Sequence, residues 1–169
     1  MPQSATIAAV TLRAPLSRIF QTQAFGVNPG MYKQYGMIGH NGRDFRTVFN
    51  LPDFKTPKGQ CHVYPMADGK IIEVGDQDIY KNGVRIKGVG YGKFVRIEHA
   101  DGSQTIYAHL HVWYVKVGQS VTTNQIIAIT DNTGASTGSH LHVGYRPPNW
   151  KMLYNNGFKG YTNFNIIPR

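Results

Sequence analysis

Cysteine is almost absent from this chain, which has one thiol among its 169 residues. A single thiol excludes an intramolecular disulfide and any zinc finger built on several cysteines. We expect Cys61 to be a small buried hydrophobe. A catalytic thiol would need a matched base, and His62 is the only base suggested by the neighbouring sequence.

Long apolar runs are also missing. No stretch approaches the roughly 20 residues of a membrane span, so no membrane span is predicted. Residues 5–12 are apolar, but no basic segment precedes them and no clear small-residue cleavage site follows. We therefore predict no standard signal peptide. Residues 1–16 are expected to form an N-terminal leader strand or extension of the domain.

Acidic residues are scarce: 9 Asp and Glu stand against 18 Lys and Arg, which gives a net charge of +9. The only glutamates are Glu73 and Glu98, so the His-Glu-x-x-His helix of many zinc proteases is excluded. A basic surface attracts anionic partners, and anionic envelope polymers fit this description. The chain has no Lys/Arg block and no stripe of aromatics interleaved with basic residues, so nucleic acid is not an expected partner.

Glycine, proline and aromatic residues are plentiful, with 19 Gly, 9 Pro and 12% aromatics. Short β-rich runs alternate with turn signals, and no stretch has a convincing helical period. These features predict an all-β fold in a single compact domain over residues 1–169. Residues 75–92 contain five glycines and are expected to form an exposed excursion. Residues 147–169 are expected to be an irregular closing segment.

Two Asp-Gly dipeptides each separate a pair of β-rich runs, which is the strongest short hairpin signal. We therefore predict hairpins at Asp68-Gly69 and at Asp101-Gly102. Further short strands are predicted at residues 18–25, 113–117 and 125–130.

The histidines contain two His-x-His pairs, His109/His111 and His140/His142. On a strand, residues i and i+2 point to the same face, so either pair can hold two imidazoles side by side. Neutral imidazole is a preferred zinc ligand. From the residues alone, the choice between the two pairs stays open, and we expect Tyr107, His109 and His111 to share one strand face. Leu141 is expected to point into the core.

A third constellation lies in a glycine-bracketed loop, where His40 and Asp44 stand four residues apart between Gly39 and the following strand. On spacing alone this pair is a weak signal. In order along the chain, three segments nevertheless resemble the signatures of the lysostaphin/LytM-type zinc metalloendopeptidases. These segments are Gly39-His40-x-Gly42-x-Asp44, Tyr107-Ala108-His109-Leu110 and Thr133-Gly134-x-Ser136-Thr137-Gly138-x-His140-Leu141-His142.

The resemblance implies roles for individual residues. His40, Asp44 and His142 would bind one Zn²⁺ ion, and His109 and His140 would be the catalytic histidines beside it. It thereby selects the second His-x-His pair for the metal. The implied fold is an antiparallel sheet with a groove walled by loops, and residues 75–92 are a candidate wall. His111, His99 and His62 would then be surface or structural residues.

The implied activity is hydrolysis of peptide bonds in peptidoglycan stem peptides or cross-bridges. Three protein ligands leave a zinc position open, and the ion makes a water molecule available for attack on a carbonyl. Without a signal peptide, the enzyme would reach the cell wall through phage lysis machinery or virion delivery. Other phage proteins are then candidate partners. The alternatives are a non-catalytic wall-binding or hydrolase-regulating relative, and a structural phage-tail domain.

Overall fold

The computed structural model describes residues 8–169, so the first seven residues of the predicted leader lie outside it. Antiparallel strands dominate, with one four-residue helix, α1 (Pro29–Tyr32), and a 3₁₀ turn at Lys33–Tyr35. The strands, in chain order, are β1 (Gln21–Gln23), β2 (Arg43–Arg46), β3 (Asn50–Leu51), β4 (Phe54–Lys55), β5 (His62–Val63), β6 (Gly69–Asp76), β7 (Ile79–Lys81), β8 (Val84–Lys87), β9 (Lys93–His99), β10 (Gln104–Ala108), β11 (Leu110–Trp113), β12 (Ser120–Val121), β13 (Ala128–Thr130) and β14 (His140–Arg146). The predicted all-β class is confirmed.

The main sheet has seven antiparallel strands in the order β1-β2-β14-β10-β9-β6-β12. A smaller sheet, β11-β13-β5, packs on one of its faces. Apolar side chains of both sheets form the core between them, including Leu141 and Val143 from the main sheet and Val63 from the smaller one. Along these strands, apolar side chains that point into the core alternate with side chains on the opposite face, as expected for a half-buried strand.

The opposite face of the main sheet carries a second, smaller apolar cluster of Phe94, Ile106, Ala108 and Tyr161. This face is only partly covered, and an open groove runs over it. Because side chains alternate along a strand, residues 140, 142, 144 and 146 of β14 point to the groove while 141 and 143 point to the core. The predicted inward orientation of Leu141 is confirmed, since that side chain is fully buried.

One of the two predicted hairpins is correct. At Asp101-Gly102, β9 and β10 pair, and Gly102 adopts the positive φ of 82° that the turn requires. At Asp68-Gly69 the prediction is wrong, because β5 pairs with β13 whereas β6 pairs with β9 and β12. Gly69 is a strand residue: a Cβ there would lie 2.4 Å from the Glu98 carbonyl oxygen, so this glycine permits close strand approach.

The excursion predicted at residues 75–92 contains the exposed hairpin β7–β8. Other predicted boundaries shift: the strand expected at 18–25 is limited to β1, that at 125–130 to β13, and the one expected at 113–117 lies earlier, as β11. The short antiparallel pair β3–β4 lies between β2 and β5 in the chain. Residues 148–160 form consecutive turns.

The two ends of the described chain meet. Arg13 forms a parallel bridge with Ile167, and the Ala14 N–H donates to the Ile167 carbonyl. Among residues 8–169, no helix combines the length and apolar character needed to cross a bilayer.

Candidate metal centre

Strand register brings the acidic and imidazole side chains together. His142 of β14 lies directly opposite Asp44 of β2, and Ala108 of β10 flanks His142 on its other side. Directly opposed residues in an antiparallel pair present their side chains to the same face. The His142 Nδ1 atom lies 3.0 Å from Asp44 Oδ1.

His40 reaches the same point from the loop before β2. Its Nε2 atom lies 2.9 Å from His142 Nδ1 and 3.1 Å from Asp44 Oδ1. The His40 Nδ1–H donates to the Ala24 carbonyl at 2.9 Å, so in the neutral ring Nε2 carries the lone pair. A metal-binding histidine is usually oriented by such a backbone acceptor on its other nitrogen.

These three residues fit a divalent metal. Their potential ligand atoms all lie within 4.8 Å of one another, and all three side chains are buried. Two imidazole nitrogens and a carboxylate oxygen are a preferred donor set for zinc. The ring of His142 occupies the space beside Gly42, where a Cβ would lie 2.6 Å from His142 Cε1. The His142 Nε2 atom is buried and has no hydrogen-bond partner among the described residues.

The protonation states suit metal binding. Burial by itself would raise the pKa of Asp44, but its hydrogen bonds and charge interactions with His142 and His40 outweigh that effect and hold the pKa well below its usual range. Burial lowers the pKa of His142, which favours the neutral imidazole. An ionised carboxylate for Asp44 and a neutral imidazole for His142 are the states in which these two groups can act as ligands.

His109 reaches the centre through an unusual backbone conformation. It lies between β10 and β11 with a φ of 61°, held by hydrogen bonds from its N–H to the Tyr91 carbonyl and from the Asp131 N–H to its own carbonyl. The expectation that Tyr107, His109 and His111 share one strand face is therefore wrong. Tyr107 is buried in the core, whereas the left-handed residue turns the His109 ring to the groove.

His109 and His140 form a pair of imidazoles with their ring centroids 4.5 Å apart. The His109 Nδ1–H donates to the Thr133 carbonyl at 2.7 Å, and the His140 Nδ1–H donates to the Gly138 carbonyl at 2.8 Å. In its neutral form, each ring thus carries its proton on Nδ1 and leaves the Nε2 atom unprotonated. Burial, with the nearby His140 and His142, lowers the pKa of His109 to about 3.

The remaining histidines lie away from this centre. His111 is half exposed and pairs with Asp131 at 2.9 Å. His99 is buried with Nδ1 bonded to the Asp68 carbonyl, a structural role as predicted. His62 is exposed on β5, and Cys61 is half buried against the core rather than fully buried.

The centre lies in a groove of about 650 Å³. Sequence reasoning missed two of its polar residues: the Asn41 amide donates to the Tyr91 hydroxyl at 2.7 Å, and the Tyr91 ring lies 5.5 Å from that of His142. It also missed Asp78, whose buried carboxylate accepts from the Gly134 and Val89 N–H groups and so ties the excursion to the loop before β14. Residues 89–91 line the groove, which agrees with the predicted wall.

Comparison with known proteins identifies relatives of this chain. The model of peptidase family M23 matches residues 50–154. The chain is 33% identical over 134 residues to the peptidoglycan DD-endopeptidase ShyB of Vibrio cholerae, a match that covers 77% of this chain and 26% of ShyB. It is 39% identical over 93 residues to an uncharacterized metalloprotease of Haemophilus influenzae, covering 55% of this chain and 17% of that protein. The chain thus spans about a quarter or less of these relatives.

Solved structures agree on the fold. A zinc-containing peptidase from Vibrio cholerae superposes with a TM-score of 0.60 at 30% identity, over 83% of this chain and 38% of that one. The catalytic domain of lysostaphin from Staphylococcus simulans gives a TM-score of 0.58 at 25% identity, over 86% and 88% of the two chains. The lysostaphin-like sheet predicted from the sequence is confirmed.

Proposed function

The chain belongs to peptidase family M23, and from this we propose that it is a zinc-dependent endopeptidase that cuts peptide bonds in peptidoglycan. The observation that carries the proposal is the buried meeting of His40, Asp44 and His142, whose donor atoms approach one another within 2.9–3.1 Å. Three such donors leave a coordination position for solvent or substrate, as catalytic rather than structural sites require.

In this proposal His40, Asp44 and His142 hold the zinc ion. When bound, zinc supplies Lewis-acid activation of water and of a carbonyl at neutral pH. Asp44 contributes a negative charge that offsets part of the charge of the ion. The Ala24 carbonyl orients His40, and the space left by Gly42 accommodates the ring of His142.

His109 and His140 are proposed to carry the proton transfers and to stabilise charge on the substrate carbonyl. Their Nδ1–H groups are engaged by backbone carbonyls, so each ring presents Nε2 to the groove. A neutral imidazole accepts a proton at that atom, and an imidazolium donates one there. The low pKa of His109 favours its neutral form at neutral pH.

Peptidoglycan as the substrate is supported by the relatives that are named as peptidoglycan endopeptidases. The net charge of +9 suits an anionic envelope. Action on stem peptides or on cross-bridges, and delivery to the wall by a phage, remain predictions.

The test is digestion of purified peptidoglycan with zinc-loaded protein, followed by labelling of new amines and mass analysis of the fragments. We expect new amines that disappear when a chelator removes the metal and return when zinc, but not magnesium, is restored. Walls of two cross-link chemistries identify the bond. The absence of new amines from both walls with fully loaded protein would refute the proposal.

A further inference from the structure

The charges that line the groove are unevenly distributed. Outside the metal centre, the charged side chains among its described lining residues are Arg96, Arg146 and Lys159, and none is acidic. The single acid of the lining, Asp44, is already bonded to imidazoles. The groove thus has one cationic end that the proposed catalytic groups do not use.

Strand register locates this end. Arg146 is on the groove face of β14, four residues after His142, which corresponds to about 13 Å of strand. Between them lies Gly144, whose missing side chain leaves room for the Tyr161 ring: a Cβ there would lie 2.6 Å from Tyr161 Cε1. Arg96 of β9 is two strands away at the level of Gly144, through Ile106. The cations therefore flank Tyr161 along the floor of the groove.

Contacts with neighbouring residues fix Arg146 in an orientation that suits binding of a planar anion. Its Cζ atom lies 4.3 Å from the centroid of the Trp150 ring and 4.4 Å from that of Tyr161, so both rings fix the guanidinium plane. Its Nε–H donates to the Lys159 carbonyl at 3.1 Å. Among the described residues, its two terminal nitrogens have no hydrogen-bond acceptor. A fixed guanidinium with a free edge matches a carboxylate in two parallel hydrogen bonds.

The neighbouring cations reinforce this site to different degrees. Arg96 is mostly buried and donates to Glu73 at 2.9 Å and to the Tyr161 hydroxyl at 2.7 Å, so its charge is partly neutralised and its main contribution is to position Tyr161. Lys159 is exposed and, among the described residues, forms no ion pair. Arg146 is thus the central ligand, and Lys159 adds positive charge at the rim.

We propose that Arg146 and Lys159 form a subsite for a substrate carboxylate, so that the enzyme prefers acidic stem peptides over uncharged bridge peptides. This inference rests on the proposed endopeptidase function and specifies its substrate class. A charge-assisted hydrogen bond to a carboxylate is strong where the alternative is an unpaired guanidinium in a groove. The carboxylate lies a few residues from the scissile bond, given the strand distance between Arg146 and His142.

The experiment compares two synthetic cross-linked stem-peptide dimers, one with free carboxylates and one with the same groups as amides. For the wild type we expect kcat/KM to be about 10- to 100-fold higher for the carboxylate dimer. Arg146→Gln should remove most of this preference by lowering kcat/KM for the carboxylate dimer alone, and Lys159→Gln should reduce it by about two- to five-fold. Arg146→Lys should restore part of it.

The matched control is Arg18→Gln. Arg18 also lies over an aromatic ring, that of Phe54, and pairs with Asp53, but it does not line the groove. The control should leave the preference unchanged. Thermal unfolding of every variant identifies any that fails to fold, and Lys159→Gln, at an exposed side chain, provides a test that does not disturb the ring contacts of Arg146.

Binding of both dimers is also measured by calorimetry with a chelator present, so that cleavage is not needed. Tighter binding of the carboxylate dimer, lost in Arg146→Gln, supports the subsite even if the loaded protein cleaves neither dimer, because the endopeptidase function is refuted separately, by the absence of new amines from both walls. Equal binding and equal turnover of the two dimers by the wild type would overturn the subsite and leave the endopeptidase function standing.

Discussion

The segments His140-Leu141-His142 and His109-Leu110-His111 have the same spacing and the same central leucine, yet their backbones differ and their histidines point in different directions. In the first, a continuous strand keeps both imidazoles on the groove face and buries Leu141. In the second, the positive φ of His109 breaks the strand, so His109 joins the groove while His111 turns to solvent. The comparison shows that backbone conformation, and not spacing, decides whether both imidazoles of such a pair face the groove.

The largest expected effect comes from removing His142, the proposed metal ligand of the continuous pair. His142→Ala should lose bound zinc and with it the peptidoglycan hydrolysis, because one of three donors is removed. Partners outside the ligand set are already worth about 10- to 100-fold in metal affinity, so the loss of a ligand should exceed that. Metal content by atomic absorption and release of new amines measure both effects. A variant that keeps a full equivalent of zinc would remove His142 from the ligand set.

The next largest effect is expected at His109, in the pair whose two histidines point in different directions. His109→Asn should retain zinc and lose about 10²- to 10⁴-fold in turnover, since the proposed proton-transfer group is removed while the proposed ligands remain. Asparagine tolerates the left-handed conformation better than alanine, which protects the fold. The same two measurements apply, and the matched control is His111→Asn. Turnover within a few-fold of the wild type would contradict a catalytic role for His109.

Much of this arrangement was predictable from the sequence. Alternation in β14 predicted the shared face of His140 and His142, and Asp101-Gly102 predicted the β9–β10 hairpin. The choice between the two His-x-His pairs was not predictable from spacing, because the left-handed conformation of a non-glycine residue has no reliable local signal. The conformation of His109 depends on residues distant in sequence, because its backbone forms hydrogen bonds with Tyr91 and Asp131.

The failed hairpin at Asp68-Gly69 has a similar explanation. The Asp-Gly signal assumes that the glycine supplies a positive φ, but Gly69 is not among the residues with positive φ. Its small size instead allows β6 to approach β9. Likewise, the meeting of His40 with Asp44 and His142 depends on a tertiary contact across about one hundred residues, which the family resemblance implied and local patterns could not.

A smaller effect is expected from crowding His142, the proposed metal ligand, without removing it. In Gly42→Ala the new Cβ would meet the His142 ring at 2.6 Å and the Val143 carbonyl oxygen at 2.4 Å, so the ring or the strand must shift. We expect zinc affinity to fall about 10- to 100-fold, with activity recovering at higher zinc concentration. Gly138→Ala is the control, because among the described residues no atom beyond its two chain neighbours lies within 4 Å of the added Cβ. Unchanged affinity in Gly42→Ala would show that the ring has room to move.

The low pKa of His109 predicts that the stability of the metal-free protein depends on pH. The folded-state pKa of His109, about 3, lies below the ordinary value of 6.5, so its contribution to stability is complete above pH 6.5 and is lost as the pH falls toward 3. Between pH 7.5 and 4.5, we expect His109 to account for about 1–3 kcal/mol of the fall in the free energy of unfolding.

Urea unfolding of the metal-free wild type and of His109→Asn at the two pH values gives this contribution as the difference between their slopes with pH. A fall remains in the variant, since burial also lowers the pKa of His142. Identical pH dependence in the two proteins would mean that the His109 ring titrates normally in the folded state.

The smallest effect should come from His111, the member of the His109/His111 pair that faces solvent. His111→Ala removes a partly exposed side-chain hydrogen bond with Asp131, which is worth about 1 kcal/mol, so thermal stability should change little and kcat/KM should stay within about two-fold. The variant is informative because the Asp131 N–H donates to the His109 carbonyl and so helps to hold the left-handed residue. If His111→Ala lowers turnover as much as His109→Asn, the side-chain pair with Asp131 is coupled to that backbone contact, and the two imidazoles act together despite pointing in different directions.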